Sequence, residues 1–101
     1  MTHSDLFNIL KKIGIEVAYD HFDTPVNPPF IVYRESDSDS LFADDINYVD
    51  FLNFEIELVT KKKDLLLENS ISNKLKENEI PYRKNQLWDS AEKIYHTIYE
   101  I

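Results

Sequence analysis

The chain predicts an α+β domain: an antiparallel or mixed sheet of four to five strands with two α-helices packed on one face. Three observations carry this. Apolar residues recur at helical spacing in two separated segments. They alternate at strand spacing in the segments between and after. The resulting order reads α-β-β-β-α-β-β, which suits a sheet with its helices segregated from it. The 101 residues, 43% of them hydrophobic, make one domain with a core of its own.

The first element is a helix. Ser4 is placed to cap it, and Leu6, Ile9, Leu10 and Ile13 follow at helical spacing. Lys11 and Lys12 sit in its last turn, where the helix dipole favours cations. Gly14, the single glycine of the chain, stands where a left-handed residue would end the helix. Residues 15–22 then read as a strand, with Val17, Tyr19 and His21 alternating against Ala18, Asp20 and Phe22. Pro25, Pro28 and Pro29 hold an extended loop, and 30–33 form a short β-prone run.

Residues 35–45, rich in Ser and Asp, read as a solvated loop. The strongest strand signal covers 48–60, with Leu52, Phe54, Ile56 and Leu58 facing away from Asn53, Glu55 and Glu57. Paired with 30–34 it makes a long antiparallel hairpin whose acidic tip spans about 35–47. A second helix is expected over 62–78, with Leu67, Ile71 and Leu75 on one stripe and Asp64 near its N-terminal turn. Pro81 marks 80–84 as a short edge strand. The strand over 91–101 sets Tyr95, Thr97 and Tyr99 against Ile94, His96 and Ile98. Apolar bulk on both faces makes it central, or buried by a partner.

Composition removes several chemistries. With no cysteine there is no disulfide, no thiolate zinc site and no thiol nucleophile. The opening MTHSDLF lacks the basic-then-apolar pattern of a signal peptide. The apolar runs fall far short of the roughly 18 residues that span a bilayer, so a soluble protein with no membrane partner is expected. The net charge is -8, and Glu35, Asp37, Asp39, Asp44, Asp45, Asp50, Glu55 and Glu57 run to Thr60 without a Lys or Arg among them. Such a field opposes ordinary phosphate-contacting nucleic-acid binding.

The remaining constellations are weak. Asp37 and Asp39 begin like a calcium loop, but Leu41, Phe42 and Tyr48 occupy later positions that the loop needs for ligands and glycine. His3, His21 and His96 share no ligand spacing. His21 and His96 both fall in expected strands and could meet there, while His3 falls in a tail. Asp44 with Asp45, or Glu55 with Glu57, read as solvated neighbours, whereas acid–base work needs one carboxylate desolvated and one not. One glycine cannot build a phosphate-cradling turn. Neither a catalytic set, a metal nor a cofactor is expected, and the protein reads as a non-enzyme.

Six Tyr, six Phe and one Trp are many for this length. Tyr and Trp suit interfaces because an apolar body carries a polar tip. Tyr33, Tyr48, Tyr82, Trp88, Tyr95 and Tyr99 are the interface candidates, with Leu41 and Phe42 beside the acidic segment.

Taken in order, LKKIGI, VAYDHF, PPFIVYR, SLFADDINY, FEIELVTKKKD, KLKENEI and SAEKIYHTIYEI cover nearly the whole chain. In this pattern it resembles the small tail-completion, or tail terminator, proteins of siphophages and prophages of Gram-positive bacteria. The resemblance implies a lambda-type fold, with a mixed sheet flanked by two helices. It implies a hexameric ring of identical subunits that caps the tail tube, stops its polymerisation and meets the head-completion or connector protein. Its place would be the tail or neck of the virion, after synthesis in the host cytoplasm. DNA would only pass through the lumen, and Asp37, Asp39, Asp44 and Asp45 would face it and repel its phosphates. Two readings stand beside this one: another small neck or head-completion protein, and an acidic DNA mimic that occupies an enzyme's DNA groove.

Overall fold

The computed structural model describes residues 2–36 and 54–101. Leu41, Phe42, Tyr48, Asp37, Asp39, Asp44 and Asp45, and with them the acidic tip, lie outside the described residues.

The elements follow the expected order: α1 (His3–Lys11), β1 (Glu16–Tyr19), β2 (Phe30–Glu35), β3 (Phe54–Thr60), α2 (Leu65–Glu77), β4 (Arg83–Asp89) and β5 (Ile94–Glu100). The strands form one five-stranded mixed sheet in the order β1-β2-β3-β5-β4. β1 runs parallel to β2, and every other pairing is antiparallel. A parallel neighbour needs a crossover, and the proline-bearing segment 20–29 supplies it without a helix. Of the expected hairpin, Phe30–Glu35 and residues 54–59 do pair antiparallel, with Tyr33 opposite Ile56, while 48–53 lie outside the described residues.

Cap chemistry sets the helix ends. Thr2, not Ser4, caps α1: its hydroxyl accepts from Asp5 N–H while the Asp5 carboxylate accepts from Thr2 N–H, a reciprocal capping box. The helix therefore starts at His3, which is no tail residue. Its ring packs edge-on to Tyr19 at 4.8 Å and to Phe54 at 5.1 Å. Gly14 adopts φ +95°, the left-handed stop that its position demands. In α2 the Asp64 side chain accepts from Leu67 N–H. The far end closes as a Schellman motif: Ile80 N–H reaches Leu75 C=O at 2.9 Å, and Glu79 N–H reaches Lys76 C=O at 3.0 Å. Glu79 holds the left-handed position of that motif, at φ 56°, with no glycine to ease it.

Ile31 and Tyr33 of β2, Phe54, Ile56 and Leu58 of β3, and Tyr99 of β5 share one face by register. Leu6 and Leu10 of α1 and Ile71 and Leu75 of α2 join the same core cluster. The other face carries Val32, Arg34, Glu55, Glu57, His96, Ile98 and Leu87. Val32 and Val59 are buried there, and Val26 and Pro28 of the crossover lie beside Phe30 and Val59. β5 sits between β3 and β4, so its apolar residues on both faces are those of an interior strand. The edge strand announced by Pro81 exists, but it runs over Arg83–Asp89 instead of 80–84, because pairing with β5 begins only at Arg83. Among the described residues no helix is long and apolar enough to cross a membrane.

Candidate functional site

The sheet face opposite the helices carries a row of charges. Arg34 and Glu55 lie directly opposite each other across β2 and β3, and Glu57 is the diagonal neighbour two residues on. Arg34 donates from Nη1 to Glu55 Oε2 at 2.8 Å, and its Nη2 stands 3.3 Å from Glu57 Oε1. Its Nε lies 3.7 Å from Asp20 Oδ1. The second oxygen of Glu57, Oε2, pairs with Nδ1 of His96 on the next strand. The row Asp20–Arg34–Glu57–His96 thus crosses four neighbouring segments. Burial pulls the Arg34 guanidinium towards deprotonation, but Glu55 and Glu57 outweigh it and hold its pKa above the ordinary arginine value.

This corrects the expectation that Glu55 and Glu57 are solvated. The Glu57 side chain is only 17% exposed, and both acids are engaged by Arg34. His21 and His96 do not meet. His21 pairs with Asp20 at 3.0 Å, beyond the end of β1.

Beside the row lies an open groove of about 580 Å³, lined by Glu57, Leu87, Trp88, Asp89, Ser90, His96 and Ile98. Leu87 and Ile98 give it apolar surface and Glu57 and Asp89 give it carboxylates, while the Trp88 ring lies against Tyr95 on the other side of the sheet. Glu57 orients His96 as a base would be oriented. Ser90 also lines the groove, and among the described residues no hydrogen bond joins it to His96. Among the described residues no group of three or more His, Asp or Glu is placed to hold a metal ion.

The interface candidates divide. Tyr33 and Tyr99 are core residues, buried from solvent, and cannot contact a partner while the fold is intact. Burial pushes the Tyr99 phenol up to about 12, and its hydroxyl donates to the Glu68 backbone carbonyl at 2.9 Å. Tyr82 packs on Tyr99 at 5.6 Å between ring centroids. Tyr95 is half-buried and packs against Trp88 with the rings tilted by 50° and their centroids 4.6 Å apart. Trp88 itself is 49% exposed. Tyr19, Leu65, Leu66 and Leu87 are also large and exposed, and the sequence reading did not single them out. Leu65 and Leu66 could have been found, since they fall off the stripe formed by Leu67, Ile71 and Leu75. Leu87 could not, because its strand was expected to end earlier.

A second charged cluster lies on the helix-covered face. Glu68 of α2 is buried, and its carboxylate contacts Lys84 Nζ at 2.7 Å and Lys63 Nζ at 3.2 Å. Gln86 Nε2 donates to it at 3.2 Å and to Thr97 Oγ1 at 3.0 Å. Burial disfavours the charged carboxylate, yet Lys84 and Lys63 outweigh that and keep the Glu68 pKa below its ordinary value.

Compared with known proteins, the chain matches no family model, no curated protein and no solved structure.

Proposed function

We propose that the chain is a structural tail protein of a long-tailed bacteriophage, a non-catalytic subunit that caps the tail tube, ends its growth and joins it to the head connector. The observation that carries this reading is the groove that, among the described residues, lies open on the sheet face opposite the helices, bordered by exposed Leu87. A small domain that leaves large apolar side chains beside an open sheet face has a surface suited to a protein partner. The mixed five-stranded sheet with two helices agrees with the architecture that the resemblance to tail terminators implies.

In this reading six copies form a ring in the virion neck, the tail tube protein meets one side and the connector the other, and DNA passes through without being bound. The acidic stretch lines the passage and repels phosphate. Neither metal nor cofactor takes part.

The test is to mix the purified chain with the corresponding tail tube protein during tube growth. Electron microscopy should show tubes of limited length with a cap of extra mass at one end. Tubes that grow unchanged and bind no chain would overturn the reading. Inhibition of a DNA-binding enzyme by the same preparation would favour the DNA mimic instead.

A further inference from the structure

We propose that the free chain pairs with a second copy of itself through β4, antiparallel and centred on Gln86. β4 is the terminal strand of the sheet. All seven of its residues pair with β5 on one side, in an unbroken register from Arg83 opposite Glu100 to Asp89 opposite Ile94. Its other side presents backbone N–H and C=O groups that, among the described residues, no strand takes up. Proteins blunt such edges with shortness, proline or a bulge. The opposite edge, β1, is short, with four residues. β4 has no proline and no bulge.

What β4 has is a charge pattern complementary to itself. Its sequence is Arg83-Lys84-Asn85-Gln86-Leu87-Trp88-Asp89. Turned about a two-fold axis through Gln86, Arg83 of each copy opposes Asp89 of the other. Lys84 then opposes Trp88, and Asn85 opposes Leu87. Directly opposed residues share a sheet face, so the two Arg–Asp pairs form on the open face and the two Lys–Trp pairs on the helix face. A shift of two residues in either direction removes Arg83 from Asp89. Parallel pairing sets Arg83 against Arg83 and Asp89 against Asp89. Electrostatics therefore selects one orientation and one register out of those an open edge allows. The contact also covers Leu87 and Trp88, exposed at 61% and 49% in the single chain.

The pairing is two-fold and closed, whereas a ring needs head-to-tail contacts. It is a property of the free chain and does not rest on the tail reading. Sedimentation equilibrium across the micromolar range should show a species of twice the 12.0 kDa chain mass. Emission from the single tryptophan, Trp88, should change with the same midpoint. Arg83→Asp or Asp89→Arg alone should weaken the dimer about tenfold or more, because each sets like charges opposite at two symmetric sites. An equimolar mixture of the two variants should restore it, since every opposed pair is then unlike in sign. Circular dichroism establishes that each variant is folded. A parent chain that stays monomeric overturns the proposal. So do single reversals that dimerise as tightly as the parent, and folded variants whose mixture stays apart. A parent chain that stays monomeric when free and still caps tail tubes overturns this pairing but sustains the tail reading. A dimer that never acts on tail tubes does the reverse.

Discussion

The two faces of the sheet carry two ionic clusters that look alike and differ in what they are held by. On the helix-covered face Glu68 is 2% exposed and neutralised by Lys63 and Lys84. On the other face Arg34 is 30% exposed and joins Glu55 and Glu57, with His96 beyond. Removing a partner from a buried pair leaves an uncompensated charge in a poor solvent. Removing one from the open face lets water replace it. Burial, and not the number of ion pairs, should therefore decide which cluster the fold depends on.

The largest effect should come from Glu68. Replacing it by Ala removes the carboxylate that Lys63, Lys84 and Gln86 share. A loss of about 3 kcal/mol is expected in urea unfolding, at the lower end for a broken buried pair because Lys63 and Lys84 can reach water. An effect below that of Arg34 replacement would break the comparison.

The same carboxylate should shape the acid limb of stability. Its folded pKa is depressed, so its contribution is fully present above the unfolded glutamate pKa of about 4.3 and is lost as pH falls through the lower folded value. Glu68→Gln should flatten the fall in stability below about pH 4. An acid limb of unchanged steepness would show that another carboxylate governs it.

Arg34→Met should cost less, about 1–2 kcal/mol, since Glu55 and Glu57 remain partly hydrated. Molar salt should shrink this difference and leave the Glu68 effect nearly intact, because screening acts on exposed charge. A control outside both clusters is Glu79→Gly at the left-handed residue that closes α2. It should stabilise by about 1 kcal/mol, read as a rise in the urea midpoint, by relieving the φ 56° backbone.

Much of the fold was legible because it is written in local periodicity. The stripe Leu67, Ile71 and Leu75 marks a helix whatever it packs on, and the alternation through Phe54, Ile56 and Leu58 marks a strand. For β5 the sequence narrowed the choice to a central strand or one buried by a partner, since Ile94, His96 and Ile98 leave it no polar face, and the strand order selects the first. The cap was misplaced from Thr2 to Ser4 because both are good capping residues. The choice falls to Asp5, which sits three residues after Thr2 and completes the box.

The candidate site was less legible. The sequence singles out Glu57 and His96 but cannot put them in a row with Arg34, because strand order and register decide which residues become diagonal neighbours. It gives no sign that Glu68, one acid among several on its helix, is special. Only the packing of α2 over Lys84 and Gln86 turns that acid inward.

By itself, then, the sequence determined the kinds and order of the elements, the absence of thiol chemistry and the acidic balance of the chain. These follow from composition and from spacings of a few residues. Tertiary structure decided the parallel pairing of β1 with β2, the burial of Tyr33 and Tyr99, the outward placing of Leu87 and Trp88, and the exposure of β4 as an edge. Each depends on contacts between residues far apart in the chain, where the free energy of packing and strand pairing selects an arrangement that no local pattern encodes.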